Sequence, residues 1–235
     1  MGIRQVICAL DTGDLSEALR VVRRLSPRIT RFKVGHALTM PYGLDVLSQL
    51  QDAGAEKIFL DLKLHDIPNS VALAVREAAR HHVWMTTLHI SGGPAMMTAA
   101  VEEARSFGEE QAPNLVGVSV LTSLDQHVLT DHLGIQRSLE DHMVYLSKLA
   151  IECGMDGVVC SCQEVKALRS AVGHGIIVTP GIRLPQGDVH DQRRVGTAQQ
   201  AISDGSDYLV IGRALSDSPD VDLTLAALGF ETVGS

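Results

Sequence analysis

The sequence predicts an α/β protein of the (β/α)8 class, a TIM barrel built as a single domain over its 235 residues. Three observations carry that expectation. Short apolar runs alternate along the chain with amphipathic stretches of helical period, which implies a parallel sheet with right-handed crossovers. The length is close to the roughly 250 residues typical of one closed barrel. After the first apolar run stands Ala9-Leu10-Asp11-Thr12-Gly13-Asp14 rather than Gly-x-Gly-x-x-Gly, so an open, doubly wound sheet that binds dinucleotides is the weaker alternative.

Taken in order, Ile3 to Leu10 reads as the first strand, and Asp14 opens a helix that runs to Leu25. Arg31 to Val34 is the second strand, followed by a helix over about Tyr42 to Ala53. Lys57 to Asp61 is the third strand, and its helix spans Asn69 to His81, where a terminal histidine pair suits the helix end. Val83 to Leu88 and Leu115 to Val120 are the fourth and fifth strands, separated by a helix from Pro94 to Phe107. A longer excursion, Asp125 to Gln136, precedes a helix from Leu139 to Glu152. Gly157 to Cys160, Ile176 to Val178 and Tyr208 to Ile211 complete the strands. Gln163 to Ala171 and the Ala214 and Pro219 to Leu228 segments supply the remaining helices.

Composition excludes several classes of function. A hydrophobic content of 45% suits one sizeable core. No stretch approaches the roughly 18 to 20 uninterrupted apolar residues of a membrane span, and Met1 to Asp11 is too short and too soon charged for a signal peptide, so a cytoplasmic protein without a membrane partner is expected. A formal net charge of -8 disfavours nucleic acid as a partner. Cys8, Cys153, Cys160 and Cys162 lie in or beside apolar runs and read as free thiols. The Cys160-Ser161-Cys162 triplet has no second ligand pair at metal spacing, so no metal site is assigned.

The densest chemistry lies in Asp61-Leu62-Lys63-Leu64-His65-Asp66-Ile67-Pro68-Asn69-Ser70. Strand alternation puts Asp61 and Lys63 on one face, at the rim of a core where carboxylates can hold an ammonium charged. In a barrel the residues after each strand meet at one rim. Here these include Asp11, Lys33, Asp61, Lys63, His89, Thr122, Ser123, Ser161, Arg183 and Arg213. His89 and Ser161 are the ones most simply read as satisfied polar groups of the core. Thr179-Pro180-Gly181-Ile182-Arg183 and Ile211-Gly212-Arg213 follow the seventh and eighth strands, where barrels frequently bind phosphate. The polar loop Leu184 to Thr197 between them reads as a lid, with Gln192 placed to reach that phosphate.

Ala9-Leu10-Asp11, Lys33-Val34-Gly35, the stretch from Asp61 to Asn69, Leu121-Thr122-Ser123, Thr179 to Arg183 and Asp191-Gln192-Arg193-Arg194 occur in this order over nearly the whole chain. In these motifs the sequence resembles the orotidine 5'-phosphate decarboxylase family, in its bacterial short-chain form. Ser70 departs from the threonine more often found there, keeping the hydroxyl and losing a methyl. The resemblance implies a carboxy-lyase converting orotidine 5'-monophosphate to UMP in pyrimidine biosynthesis, with no cofactor and no metal. It implies Lys63 as proton donor in a charge chain with Lys33, Asp61 and Asp66, and Asp11 and Lys33 on the ribose. Thr122 and Ser123 would contact the pyrimidine, Pro180 would wall the ring, and Arg183, Gln192, Gly212 and Arg213 would hold the 5'-phosphate. It also implies a homodimer in which Asp66, Ile67 and Ser70 reach the neighbouring subunit's site. Two rivals remain open: a Mg2+-dependent sugar-phosphate decarboxylase or aldolase of the same barrel superfamily, and a non-catalytic protein that binds nucleotide phosphates.

Overall fold

The structure is a computed structural model that describes residues 1–183 and 196–231. Eight parallel strands close into a barrel in chain order: β1 (Val6–Leu10), β2 (Arg31–Val34), β3 (Lys57–Leu64), β4 (Met85–His89), β5 (Asn114–Val118), β6 (Gly157–Val159), β7 (Ile176–Thr179) and β8 (Tyr208–Ile211). Closure is made at β1, where Cys8 faces Phe32 on one side and Ile211 on the other. The helices are α1 (Leu15–Leu25), α2 (His36–Tyr42), α3 (Asp45–Asp52), α4 (Pro68–Arg80), α5 (Pro94–Arg105), α6 (Leu139–Glu152), α7 (Val165–Val172), α8 (Ala198–Ser203), α9 (Arg213–Ser216) and α10 (Val221–Ala227).

The continuous apolar character of the strands follows from their position, since a parallel strand under a ring of helices is covered on both faces. Every residue of β1 is buried. Alternate residues divide the core in two. Ile7, Ala9, Phe59, Met85, Val116, Val178 and Val210 fill the inside of the barrel. Cys8, Leu10, Phe32, Val34, Ile58 and Leu60 face outward onto helices such as α1, which buries Ala18, Val21, Val22 and Leu25 at helical spacing. Local signals set the helix starts. The Asp14 carboxylate accepts from the Ser16 and Glu17 amides at 2.8 and 3.4 Å to cap α1, Pro68 and Pro94 open α4 and α5, and the Ser138 hydroxyl accepts from the Asp141 amide at 3.1 Å to cap α6.

The lower end of the barrel is closed by aromatic packing. Trp84 and Tyr208 meet edge to face at 5.0 Å between ring centroids, and the Arg31 guanidinium lies 5.4 and 5.8 Å from the two rings. With that end sealed, the opening lies at the C-terminal ends of the strands.

Several elements differ from the sequence reading. Ile3 to Gln5 form a 3-10 turn, so β1 begins at Val6. The helix expected over about Tyr42 to Ala53 is α3 (Asp45–Asp52), and α2 (His36–Tyr42), which the sequence reading did not assign, precedes it; the two are separated at Gly43, whose φ of 65° lies in the left-handed region open to glycine. β3 continues past Asp61 to Leu64, and the 125–136 excursion contains a π-helical turn, Val128–His132. The sequence reading assigned no helix to Ala198–Ser203, and the reason is visible: only Ala198 and Ala201 of its six residues are buried, too weak a stripe to register as a helical pattern.

At Gly157 a side chain has no room, because an added Cβ would lie 2.0 Å from the Ile176 carbonyl oxygen on the paired strand. Gly157→Ala is expected to cost about 3 kcal/mol and to lower Tm by roughly 6–12 °C in thermal unfolding followed by circular dichroism; an unchanged Tm would contradict this packing.

Candidate active site

The side chains singled out at the rim come from neighbouring strands and meet at one point. Asp11 follows β1, Lys33 lies in β2, and Asp61 and Lys63 lie in β3. The Lys33 Nζ donates to Asp11 Oδ1 at 3.0 Å and sits 3.6 Å from Asp61 Oδ2. The Lys63 Nζ donates to both Asp61 oxygens, at 2.8 and 2.9 Å. Asp61 is therefore one carboxylate between two ammonium groups, with its side chain and that of Lys33 each only 13% exposed.

Burial and pairing compete at these groups. Burial alone would push the Asp61 carboxyl up, yet the charges of Lys33 and Lys63, with hydrogen bonds from Lys63 and Thr87, hold it below the usual carboxylate range. Burial would likewise push the Lys33 ammonium down, and the attraction of Asp61 and Asp11 instead raises it. In both cases attraction outweighs desolvation, so the charged forms are the stable ones. His89 behaves oppositely: half-buried, 5.3 Å from the His65 ring and near Lys63, its pKa is pushed below the ordinary histidine value by burial first and by the neighbouring His65 and Lys63 second.

Asp61 and Lys63 meet as the alternation predicts, but by a different backbone route. Lys63 has a φ of 51°, rare for a residue with a side chain, and the β3–β4 register shifts between Leu60 and Leu64. Thr87, buried on β4, bonds to both sides of this irregularity. The sequence reading missed it. The available signal was the Thr86-Thr87 pair in the middle of an apolar strand, where a buried hydroxyl needs a partner.

These charges form one side of a cavity of about 290 Å³ whose inner lining includes Phe59, Val118, Val159 and Val210. Thr122, Pro180, Gly181, Arg183, Gly212 and Arg213 complete the lining, Gly212 lying beside Asp11 because β8 pairs with β1. Nine of the residues expected in the site are thus brought together: Asp11, Lys33, Asp61, Lys63, Thr122, Pro180, Arg183, Gly212 and Arg213. Ser123 is exposed and is not among the residues lining this cavity.

Asp66, Ile67 and Ser70 stand outside the cavity, at the start of α4. The exposed Asp66 carboxylate accepts from the Ile67 amide at 2.6 Å, and among the described residues it has no ion pair with Lys63. The turn at Ile67-Pro68 directs Asp66 onto its own backbone. Ile67 is 67% exposed, and Asp66 and Ser70 line a shallow groove with Met40, Leu62 and Leu64. Gln192 lies outside the described residues, as does the 184–195 part of the expected lid. The chain segments flanking it are clasped, with the Arg183 amide donating to the Gly196 carbonyl at 3.2 Å.

Ser161 is buried and hydrogen-bonded to Glu164, a core role. All four cysteines are free, and burial pushes the Cys8 thiol up to about 12. Among the described residues no three His, Cys, Asp or Glu side chains converge at metal-binding distance, and no helix is long and apolar enough to cross a membrane.

A sealed lower end, a charged upper rim and a cavity lined by valines and by Arg183 and Arg213 define a (β/α)8-barrel protein with its site in the usual place for barrel enzymes. Residues 4–228 match the model of the orotidine 5'-phosphate decarboxylase / HUMPS family, and the chain belongs to that family. It is 45% identical over 224 residues to the orotidine 5'-phosphate decarboxylase of Pseudoalteromonas translucida, covering 95% of this chain and 94% of that one. It is 47% identical over 225 residues to the protein of the same name from Enterobacter sp., covering 95% and 90%. Among solved structures, orotidine 5'-phosphate decarboxylase from Lactobacillus acidophilus superposes with a TM-score of 0.84 at 32% identity, covering 96% of this chain and 97% of that one. An uncharacterized conserved protein from Geobacillus kaustophilus gives 0.83 at 33%, covering 95% and 98%.

Because Asp61 is held below its usual range when folded, the stability it contributes is present above the ordinary carboxylate pKa and is lost as pH falls through the lower folded value. Asp61→Asn leaves Lys33 and Lys63 facing each other and is expected to cost about 3 kcal/mol near neutrality. It should also flatten the loss of stability between about pH 5 and about pH 3, read from urea unfolding across that range. Parallel stability curves for the two proteins would contradict this assignment.

Proposed function

We propose that the protein is a carboxy-lyase that converts orotidine 5'-monophosphate to UMP in pyrimidine biosynthesis, without a metal or organic cofactor. The observation that carries this reading is the Lys33–Asp61–Lys63 chain lining one cavity together with Arg183 and Arg213. The relatives named as this enzyme, matched over 95% of the chain, support it further.

Loss of CO2 from C6 of the orotate ring leaves an in-plane carbanion with no conjugated electron sink. The reaction therefore needs a fixed positive charge at C6 and a proton to quench it. Lys63 supplies both. Its ammonium has three N–H groups, two of which engage Asp61, leaving one for the cavity, where it stabilises developing charge and then donates its proton to C6. Asp61 orients the Lys63 ammonium through its two hydrogen bonds, and its own charge beside the substrate carboxylate disfavours the ground state. Lys33 anchors the other side of Asp61 and, with Asp11, binds the ribose hydroxyls. Thr122, with Ser123 at the edge, contacts the pyrimidine and Pro180 walls the ring. Arg183, Gly212 and Arg213 hold the 5'-phosphate, with Gln192 of the loop closing over it. Those remote contacts are well placed to draw on binding energy that lowers the barrier at C6.

Asp66, Ile67 and Ser70 act in the site of a second copy in a homodimer. Their position favours this: they lie outside their own cavity, Asp66 and Ser70 in a groove shared with the exposed Met40, and Ile67 is itself exposed. The Mg2+-dependent alternative within the family is less well supported by the donor set. A divalent cation at Asp61 would sit against two ammonium groups, each already within 3.6 Å of that carboxylate.

Lys63→Ala should lose nearly all turnover, at least about 10³-fold in kcat, in an ultraviolet assay of orotidine 5'-monophosphate run in EDTA, while UMP still binds. Wild-type turnover in that variant, or wild-type activity abolished by EDTA, would sink the assignment. Mixing inactive Lys63→Ala with inactive Asp66→Ala subunits should restore activity, to about a quarter of wild type at equal ratio if exchange is random; no recovery after demonstrated exchange would exclude the shared site.

A further inference from the structure

We infer that Thr87 is a positioning residue whose hydroxyl holds the Lys63 backbone in its left-handed conformation and, through the same oxygen, fixes the Asp61 carboxylate. The inference rests on the proposed decarboxylation for its kinetic consequence and on the geometry alone for its structural one.

Between the pairs Leu60–Thr86 and Leu64–Leu88, β3 advances four residues while β4 advances two. The surplus length is the Asp61-Leu62-Lys63 bulge, and inside it the regular ladder is interrupted. The Lys63 amide, which a regular strand would direct to a carbonyl of β4, donates instead to the Thr87 hydroxyl at 2.8 Å. That hydroxyl in turn donates to Asp61 Oδ1 at 3.0 Å, the same oxygen that accepts from Lys63 Nζ at 2.8 Å. Lys63 is therefore held at both ends through one small ring: its amide by Thr87, its ammonium by Asp61, and Asp61 by Thr87.

The conformation has a reason to need holding. A residue with a Cβ at φ 51° is disfavoured relative to the ordinary regions, and it persists only where its surroundings make up the difference. Thr87 is 1% exposed, so its hydroxyl has no water as an alternative partner, and both of its bonds belong to this ring. The neighbouring Thr86 differs. Its hydroxyl donates to the Leu60 carbonyl at 2.9 Å, a repair of the strand pairing that leaves the charged groups untouched. Of the two adjacent threonines, only Thr87 links the backbone irregularity to the charges. The hydroxyl does not touch the cavity, which is why the role is positioning rather than chemistry.

Thr87→Val keeps the shape and removes both bonds; Thr87→Ser keeps the hydroxyl; Thr87→Ala removes it with less bulk. In the decarboxylation assay Val and Ala should lower kcat by about tenfold or more with KM within about threefold of wild type, and Ser should return kcat to within about threefold. Equal kcat for all four proteins, or a loss shared by Ser and Val, overturns the inference, as does a loss confined to KM. Should Val fail to fold, the Ala and Ser pair decides on the same terms. A second readout needs no turnover: amide hydrogen exchange at Lys63 should be slow in wild type and Thr87→Ser and faster by about tenfold in Thr87→Ala. Unchanged exchange in Ala overturns the inference even if the wild-type protein proves to decarboxylate nothing, an outcome that would count against the proposed activity alone.

Discussion

The site depends on one carboxylate held between two ammonium groups. Asp61 is buried, and a buried carboxylate without partners would take up a proton. Lys33 on one side and Lys63 on the other reverse that preference, and the reversal is mutual, since Asp61 is also what keeps Lys33 charged inside the barrel. Removing the central anion would leave two cations in a poorly solvated space, so the arrangement stands or falls as a unit. For a reaction that generates negative charge, a cation already held in place needs no reorganisation when the charge appears.

The barrel makes that arrangement possible by separating what stabilises from what reacts. The lower end is shut by Trp84, Tyr208 and Arg31, and the interior above it is packed with Ile7, Phe59, Val116, Val178 and Val210. Phe59 and Val210 of this packing, with Val118 and Val159, give the cavity its apolar lining. Parallel strands all deliver their C-terminal residues to the same rim, so Asp11, Lys33 and Asp61 from three successive strands meet with no long-range instruction beyond strand order. The irregularity at Lys63 is the exception to this regularity, and it lies where the chemistry is proposed to occur.

Much of this could be read from the sequence. β2, β8 and α6 fall where their apolar patterns put them, because each has a strong stripe or run and a clear start. Legibility fades where the signal is short or contradictory. α8 buries only two alanines, and the break between α2 and α3 turns on the single residue Gly43. The end of β3 was read as a loop after Asp61, because three charges in six residues look like solvated chain; the strand continues because Lys63 and Asp61 neutralise each other against it.

The sequence by itself determined which residue types stand at the strand ends, hence the barrel, the paired charges and the arginines at the ends of the last two strands. Those follow from local periodicity and strand order, which are properties of short stretches. Only the tertiary structure decided that Asp66 turns away from Lys63 onto its own backbone, that Ser123 stays outside the cavity and that Thr87 joins the charged cluster. Each of these hangs on a turn direction or on register between two strands. A two-residue difference in advance between β3 and β4 exists only once the two are paired, and the Thr86-Thr87 pair in an apolar strand marks a need for a partner without saying where that partner lies.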